Sequence, residues 1–223
     1  MRHVNLKPLA VFTAIIVVAS FNVGRQQSEA VATVPDDAVT VPDNRQSALG
    51  ESQAPVVMVV FTDYQCAYCK KFFEERLPEI NDRFVESGQV RVVIRDLPLK
   101  RHKFARPAAA AAACADRQDS YRPMHETLYA RQAAIPELEF SDLASELDLD
   151  VDGFDACMAD PKIQDGIDAD IAAAKGARVA GTPAFLIGVP VDGRVVGSVF
   201  TGFQPLSVYE AEIREYLEST DRS

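Results

Sequence analysis

The hydrophobic positions in the first half of the chain predict two strands with a helix between them. Val56 to Phe61 is an unbroken apolar run, as expected of a strand that is buried on both faces. A helix is predicted from about Cys66 to Val85, with Leu77, Ile80 and Phe84 on one stripe. A second strand is predicted over residues 90–94, which are apolar except for Arg91. This β-α-β order predicts parallel strands joined by a right-handed crossover.

The second half of the chain has the patterns of several helices, then two strands and a last helix. Four helices are predicted in the middle, over residues 107–118, 124–132, 141–147 and 163–179. Two strands, over residues 184–187 and 194–200, precede a helix that begins near Leu206 and ends near Leu217. The pattern predicts an α/β fold with β-α-β and β-β-α halves around a mixed sheet. A helical domain is inserted at about residues 101–178.

The first 47 residues are predicted to precede the folded domain, which would cover residues 48–220. Basic residues precede the uncharged run from Leu9 to Val23, which is shorter than the roughly 20 residues of a membrane-spanning helix. We therefore expect residues 1–24 to be a signal peptide, with a membrane anchor through residues 9–23 as the alternative. Residues 25–47 have no apolar period and predict a flexible tether. Either way the domain would be exported, to a bacterial periplasm or to the extracytoplasmic face of the membrane.

The charge of the chain argues against one class of partner. The net charge is −10, and twelve acidic residues but a single basic one fall between Ile135 and Asp170. Such a surface repels phosphate backbones, so a nucleic acid is not expected to bind. The four cysteines are an even number, which agrees with two disulfides in an oxidising compartment.

Two of these cysteines form the motif Cys66-Ala67-Tyr68-Cys69 at the start of the first predicted helix. Unpaired backbone N–H groups and the helix dipole favour a thiolate there, so Cys66 is the candidate nucleophile and Cys69 the resolving thiol. We expect Cys66 to be exposed, because exchange proceeds by attack of a thiolate through a mixed disulfide. Ala67 and Tyr68 supply no cation beside it, which predicts a milder oxidant.

Other interpretations of this motif fit the sequence less well. A c-type haem site needs a histidine directly after Cys69, where the chain has Lys70. A structural zinc site needs four ligands, and the sequence has no second Cys-x-x-Cys motif. No metal and no organic cofactor is therefore expected, and a purely structural Cys66–Cys69 disulfide stays as an alternative.

Three stretches of the chain carry a resemblance to a known family. They are the segments 61–69 (FTDYQCAYC), 95–99 (RDLPL) and 181–185 (GTPAF). With them the chain resembles the DsbA-like branch of the thioredoxin superfamily, over about residues 48–217. The resemblance implies a thioredoxin fold and a cis bond before Pro183, which would lie against the active-site sulfurs and free the Thr182 backbone to pair with an extended substrate. A trans proline that only ends a helix is the alternative.

Further residues have candidate roles that the sequence leaves open. Cys114 and Cys157 both fall in the inserted helical domain and are predicted to form a structural disulfide; a second redox pair or an intermolecular bridge is the alternative. Asp63 is a candidate proton relay for the buried thiol, or a strand-end residue that bonds the backbone. His102 and His125 are expected to be surface or packing histidines.

Together these features predict an exported thiol:disulfide oxidoreductase that transfers the Cys66–Cys69 disulfide to reduced client polypeptides. A membrane redox partner would reoxidise it. A reductase or isomerase with the same fold, or a disulfide-stapled binding or chaperone module without turnover, are the alternatives.

Overall fold

The fold is built around a six-stranded mixed sheet. A computed structural model describes residues 38–43 and 48–221 of the chain. Strands run in the order β1-β6-β5-β3-β4-β2 across the sheet. Their bounds are β1 Val39–Pro42, β2 Ala48–Leu49, β3 Val56–Thr62, β4 Val90–Asp96, β5 Ala184–Val191 and β6 Arg194–Thr201.

Strand β3 is the centre of this sheet, and every one of its residues is buried. It runs parallel to β4, from the pair Val56–Val90 to the pair Thr62–Asp96, and antiparallel to β5. The remaining strand pairs are antiparallel. The predicted mixed sheet with β-α-β and β-β-α halves is therefore confirmed.

Eight α-helices lie among the described residues, with shorter helical turns between some of them. The α-helices are α1 Ala67–Lys71, α2 Leu77–Ile80, α3 Ala105–Asp116, α4 Tyr121–Ala130, α5 Phe140–Glu146, α6 Val151–Met158, α7 Pro161–Gly176 and α8 Leu206–Asp221. The π-helical turn Phe72–Arg76 joins α1 to α2, and a second π-helical turn, Asn81–Val85, extends α2, so residues 67–85 form one continuous helical segment. The π turn directly before α2 precedes Pro78, which has no N–H group to donate to the helix.

Alternate residues of β3 face two different hydrophobic cores. Val56, Met58 and Val60 belong to a core that the helical segment of residues 67–85 and helix α8 cover. Val57, Val59 and Phe61 belong to a core on the other face, to which α7 contributes Ala174. Successive side chains of a strand point to opposite faces of the sheet, and here helices cover both faces. The end of β3 is therefore enclosed on both sides.

The inserted helices have a hydrophobic core of their own. Alanines 108–112 of α3 are all buried in it, and their small side chains let neighbouring helices approach closely. The same core includes Tyr64, Cys66 and Cys69, so the insertion packs directly against the Cys-x-x-Cys segment. A disulfide joins Cys114 of α3 to Cys157 of α6, with Cα atoms 5.7 Å apart.

The prediction of a flexible tether over residues 25–47 is wrong for Ala38–Asp43. Strand β1 pairs with β6, and its Val41 is fully buried. Asp43 then forms a buried ion pair with Arg91 at 2.8 Å. The sequence pattern missed β1 because a four-residue edge strand is too short for a periodic signal.

The predicted signal peptide or anchor at residues 1–24, and membrane attachment through residues 9–23, lie outside the described residues. Within the part that is described, no helix has the length and apolar character needed to cross a membrane.

Candidate active site

The two cysteines of the motif lie where strand β3 passes into helix α1. Cys66 is the N-cap residue of α1, with an extended backbone (φ −85°, ψ 114°). The N–H groups of Cys69 and Lys70 donate to the Cys66 carbonyl oxygen at 3.1 and 3.2 Å, which closes the first helical turn. The Cys66 sulfur is therefore placed among the free N–H groups at the start of the helix, as the sequence predicted.

The exposure of the two sulfur-bearing residues differs from the prediction for Cys66. Cys66 is only 6% exposed, although an exposed residue was expected, and Cys69 is fully buried. The cause is the hydrophobic core of the inserted helices, which packs against both cysteines. Both residues are free thiols in this structure. An attacking thiol therefore has only a narrow path from solvent to the pair, and that path leads to Cys66 rather than to Cys69.

The surroundings of Cys66 and Cys69 shift the pKa values of the two thiols in opposite directions. The pKa of Cys66 is lowered to about 5, first by a hydrogen bond from the Cys69 thiol to its thiolate. Hydrogen bonds from Thr182 and from the backbone of Cys69 and Tyr68 lower it further, against the opposing effect of burial. Burial raises the pKa of Cys69, and the neighbouring Cys66 sulfur raises it further. At neutral pH the pair therefore holds one thiolate, on Cys66, and one thiol, on Cys69.

The Thr182–Pro183 segment lies against the reactive sulfur. Its peptide bond is cis. In its thiol form Cys66 Sγ donates to the Thr182 carbonyl oxygen at 3.3 Å, and Pro183 is buried. The next residue, Ala184, pairs with Phe61 of β3, which fixes this loop beside the end of the central strand. The structure thus brings together two stretches of sequence that are 116 residues apart.

Ala67 and Tyr68 form the exposed part of the motif. Both are exposed, and the Tyr68 side chain is 62% accessible to solvent. So large an exposed aromatic ring next to the reactive sulfur offers an apolar contact surface to another chain.

Asp63 has both carboxylate oxygens occupied by groups of the surrounding loops. Its Oδ1 accepts from the Gln65 N–H at 2.7 Å, and its Oδ2 accepts from the Leu99 N–H at 2.7 Å. His102 Nδ1 lies 2.9 Å from the same Oδ2. These bonds fit a strand-end residue that fixes the loop 97–104 beside the motif, which was one of the two roles considered for Asp63. His102 adds a second contact that holds this loop to Asp63.

A buried cluster of hydroxyl and imidazole groups, which was not predicted from the sequence, lies in the same core as Cys69. Thr62 Oγ1 and Tyr129 OH are 2.6 Å apart, and Tyr64 OH lies 2.8 Å from His125 Nδ1. Burial lowers the pKa of His125 to about 3, so its imidazole is neutral. The signal that points to the cluster is the spacing of Tyr121, His125 and Tyr129, which are four residues apart and share one face of α4.

Comparison with known proteins agrees with this arrangement. The sequence profile of a family described as Thioredoxin matches residues 43–198. The chain belongs to the thioredoxin family. Its fold matches that of solved DsbA-like structures, with a helical domain inserted into the thioredoxin fold.

Solved structures show the same fold at low sequence identity. The alpha-DsbA1 structure from Wolbachia pipientis superposes with a TM-score of 0.68 at 21% identity, over 82% of this chain and 96% of that one. The oxidised BdbD structure from Bacillus subtilis gives a TM-score of 0.66 at 23% identity, over 82% of this chain and all of that one.

Curated relatives of this thioredoxin-family chain include proteins of two kinds. A Na⁺/H⁺ antiporter NhaA of Salinispora tropica is 35% identical over 153 residues, which is 68% of this chain but 23% of the antiporter. The chain thus spans about a quarter of that relative's length. Disulfide bond formation protein D of Bacillus subtilis is 34% identical over 89 residues, covering 39% of this chain and 40% of the relative.

Proposed function

We propose that this chain is a thiol:disulfide oxidoreductase that donates the Cys66–Cys69 disulfide to reduced client polypeptides. The observation that carries the proposal is the opposite perturbation of the two sulfurs. One is slightly accessible with its pKa lowered to about 5, and the other is buried and remains a thiol. A stabilised Cys66 thiolate stabilises the reduced protein, which makes its disulfide a better oxidant.

The reaction proceeds in two exchange steps. A client thiolate attacks Cys66 Sγ, the Cys66–Cys69 bond breaks, and its electron pair leaves on Cys69. The client is then joined to Cys66 in a mixed disulfide. A second client thiolate attacks the client sulfur of that bond and releases Cys66 as a thiolate. The client gains a disulfide, and the two electrons it loses reduce the protein.

Client chains would bind in an extended conformation beside the Thr182–Pro183 segment. This segment contacts the Cys66 sulfur, and the Thr182 backbone would pair with the extended client strand. Tyr68 adds an apolar contact on the solvent side. Ala67, Tyr68, Thr182 and Pro183 are thus the proposed client-binding residues, and Cys66 and Cys69 the catalytic ones.

The compartment and the redox partner belong to the same proposal. A disulfide donor needs an oxidising environment, and a Cys114–Cys157 disulfide agrees with one. We place the domain outside the cytoplasm, exported by the leader or anchor at residues 1–24. A membrane protein would reoxidise the Cys66–Cys69 pair after each transfer.

Direct disulfide transfer tests this function. We expect oxidised protein mixed with an equimolar reduced peptide containing two cysteines to oxidise that peptide, while residues 66 and 69 become thiols. Acid quenching followed by mass spectrometry measures both changes.

The matched control is the double variant Cys66→Ala/Cys69→Ala, which retains the Cys114–Cys157 disulfide. It should transfer nothing. Peptide oxidation by the double variant at the rate of the natural chain would show that the disulfide comes from elsewhere, and absence of transfer by the natural chain would refute the function.

A further inference from the structure

A short run of basic residues lies near the reactive sulfur of a chain whose net charge is −10. Lys100, Arg101 and Lys103 are all exposed, and residues 97–115 contain no acidic residue. We call residues 100–103 the basic loop. Within the part of the chain that the structure describes, none of these three cations has an ion-pair partner. The basic loop therefore presents three uncompensated positive charges to solvent.

Hydrogen bonds fix both ends of the basic loop to the residues that lead into Cys66. The Leu99 N–H donates to Asp63 Oδ2 at 2.7 Å, and the Phe104 N–H donates to Gln65 Oε1 at 2.7 Å. Gln65 is the residue directly before Cys66. Each residue of an extended client chain spans about 3.3 Å, so the loop can act on client residues only a few positions from the attacking thiol.

The other charges around the motif are paired, buried or neutral. Three ion pairs flank the motif and the basic loop: Lys70–Glu74, Lys71–Glu75 and Arg106–Asp168. Asp63 is buried, and its carboxylate oxygens accept from backbone N–H groups of the neighbouring loops. Burial raises the pKa of Asp96 to about 8, so this carboxyl group is mostly protonated at neutral pH. The uncompensated exposed charge near Cys66 is therefore positive.

We propose that the basic loop selects client polypeptides that carry acidic residues next to the reacting cysteine. Its cations attract such a segment toward Cys66 and stabilise it there during the first exchange step. In that step the client thiolate attacks Cys66 Sγ, and the electron pair of the Cys66–Cys69 bond passes to Cys69. The inference rests on the proposed disulfide transfer and names the class of client that this transfer favours.

A polypeptide fits the basic loop better than an anionic membrane surface does. Loops and helices that lie in a membrane interface bury several large apolar side chains beside their cations. In residues 97–106 the only large apolar side chain that is exposed is that of Phe104, at 38%. The loop thus offers charge with little apolar surface, which suits the acidic segment of a client.

The test measures how fast reduced two-cysteine peptides reduce the oxidised protein. Three peptides differ only in the residues beside their cysteines, which are aspartates, serines or lysines. The second-order rate constant is obtained with peptide in excess, by acid quenching and mass spectrometry. The loop variant is Lys100→Gln/Arg101→Gln/Lys103→Gln. Because each peptide is compared between the natural chain and the variant, differences in the reactivity of the peptides themselves cancel.

The matched control removes three exposed arginines far from the basic loop, in the variant Arg83→Gln/Arg194→Gln/Arg214→Gln. Arg83 and Arg214 lie at the end of the helical segment that is farthest from Cys66. Arg194 begins β6, at the end of the β5–β6 pair that is away from Pro183. The control therefore has the same net charge as the loop variant, with the positive charges near Cys66 intact.

We expect the loop variant to slow reduction by the aspartate peptide about threefold to tenfold at low ionic strength. Its rate with the serine peptide should change by less than about twofold, and the lysine peptide should react as fast as before or faster. Roughly 0.5 M salt should remove the difference, because it screens exposed charges. The control variant should keep all three rates within about twofold of the natural chain.

Three results would overturn the inference. One is an unchanged rate of the loop variant with the aspartate peptide, and another is equal slowing with all three peptides, since charge would then not select the client. The third is binding of the natural chain, but not of the loop variant, to phosphatidylglycerol vesicles without any charge preference among the peptides. That result would assign the loop to a membrane surface. Failure of the natural chain to oxidise any of the three peptides would instead refute the proposed function.

Discussion

A Cys69→Ser protein is expected to accumulate covalent adducts with its clients. In this variant Cys66 still has a hydroxyl at position 69 to donate to its thiolate, so it remains able to attack a client disulfide. The thiol that would release the captured chain is gone, because the buried sulfur next to Cys66 is that of Cys69. Turnover should be abolished, and incubation with an excess of a disulfide-linked dimer of a one-cysteine peptide should give a mixed disulfide at Cys66, because the displaced peptide thiol leaves into solution. Non-reducing mass spectrometry measures it.

The matched control for this trap is Cys66→Ser, which keeps Cys69 as the single free thiol. Its buried sulfur is out of reach and its pKa is raised, so it should form no adduct under the same conditions. Equal trapping by the two variants would contradict the assignment of nucleophile and resolving thiol. Absence of adducts with both would favour a binding module that performs no exchange.

Loss of the Cys114–Cys157 disulfide is expected to have the largest effect on stability. The bond closes a loop between residues 43 positions apart. Loop-closure entropy for a loop of this length gives about 4 kcal/mol of stabilisation. The double variant Cys114→Ala/Cys157→Ala should lose that amount of the free energy of unfolding in urea. The rate of disulfide transfer per folded molecule should change little, because this bond joins α3 to α6 and neither of its cysteines takes part in the exchange.

A control separates the two disulfides of the chain. In the variant Cys66→Ala/Cys69→Ala, reduction by dithiothreitol acts on the Cys114–Cys157 bond alone, and it should cause the same loss of stability. A change below about 1 kcal/mol in both experiments would contradict the structural role of this disulfide, since native disulfides in small exported domains contribute more.

The sequence predicts the parts of this fold that have strong local signals. The apolar run of β3 and the periodic stripe of residues 67–85 each identify one element, and their order predicts a parallel pair of strands. The motif at the start of the helix places Cys66 correctly, because capping is a local property of the chain. Helix α6 was missed, since its eight residues include Gly153 and acidic positions that hide its period.

The parts that the sequence could not predict depend on contacts between distant residues. Strand β1 is defined by its pairing with β6. The role of Asp43 depends on its ion pair with Arg91, which lies 48 positions away in the sequence. The low exposure of Cys66 results from the packing of the insertion, which no pattern near the motif contains. The Thr62–Tyr129 contact joins residues that are 67 positions apart. Single polar residues of this kind carry no period, so only the folded chain shows that they meet.

The pH dependence of Cys66 alkylation tests the central claim most directly. Reduced protein is treated with iodoacetamide between pH 3 and pH 10, and peptide mapping gives the rate at Cys66 alone. Since the thiolate is the reactive form, the rate should rise about tenfold per pH unit below the pKa and then level off. The structure predicts a midpoint near 5. A rate that keeps rising to a midpoint near the ordinary thiol value of 9.0 would contradict the account, because Cys66 would then have no stabilised thiolate.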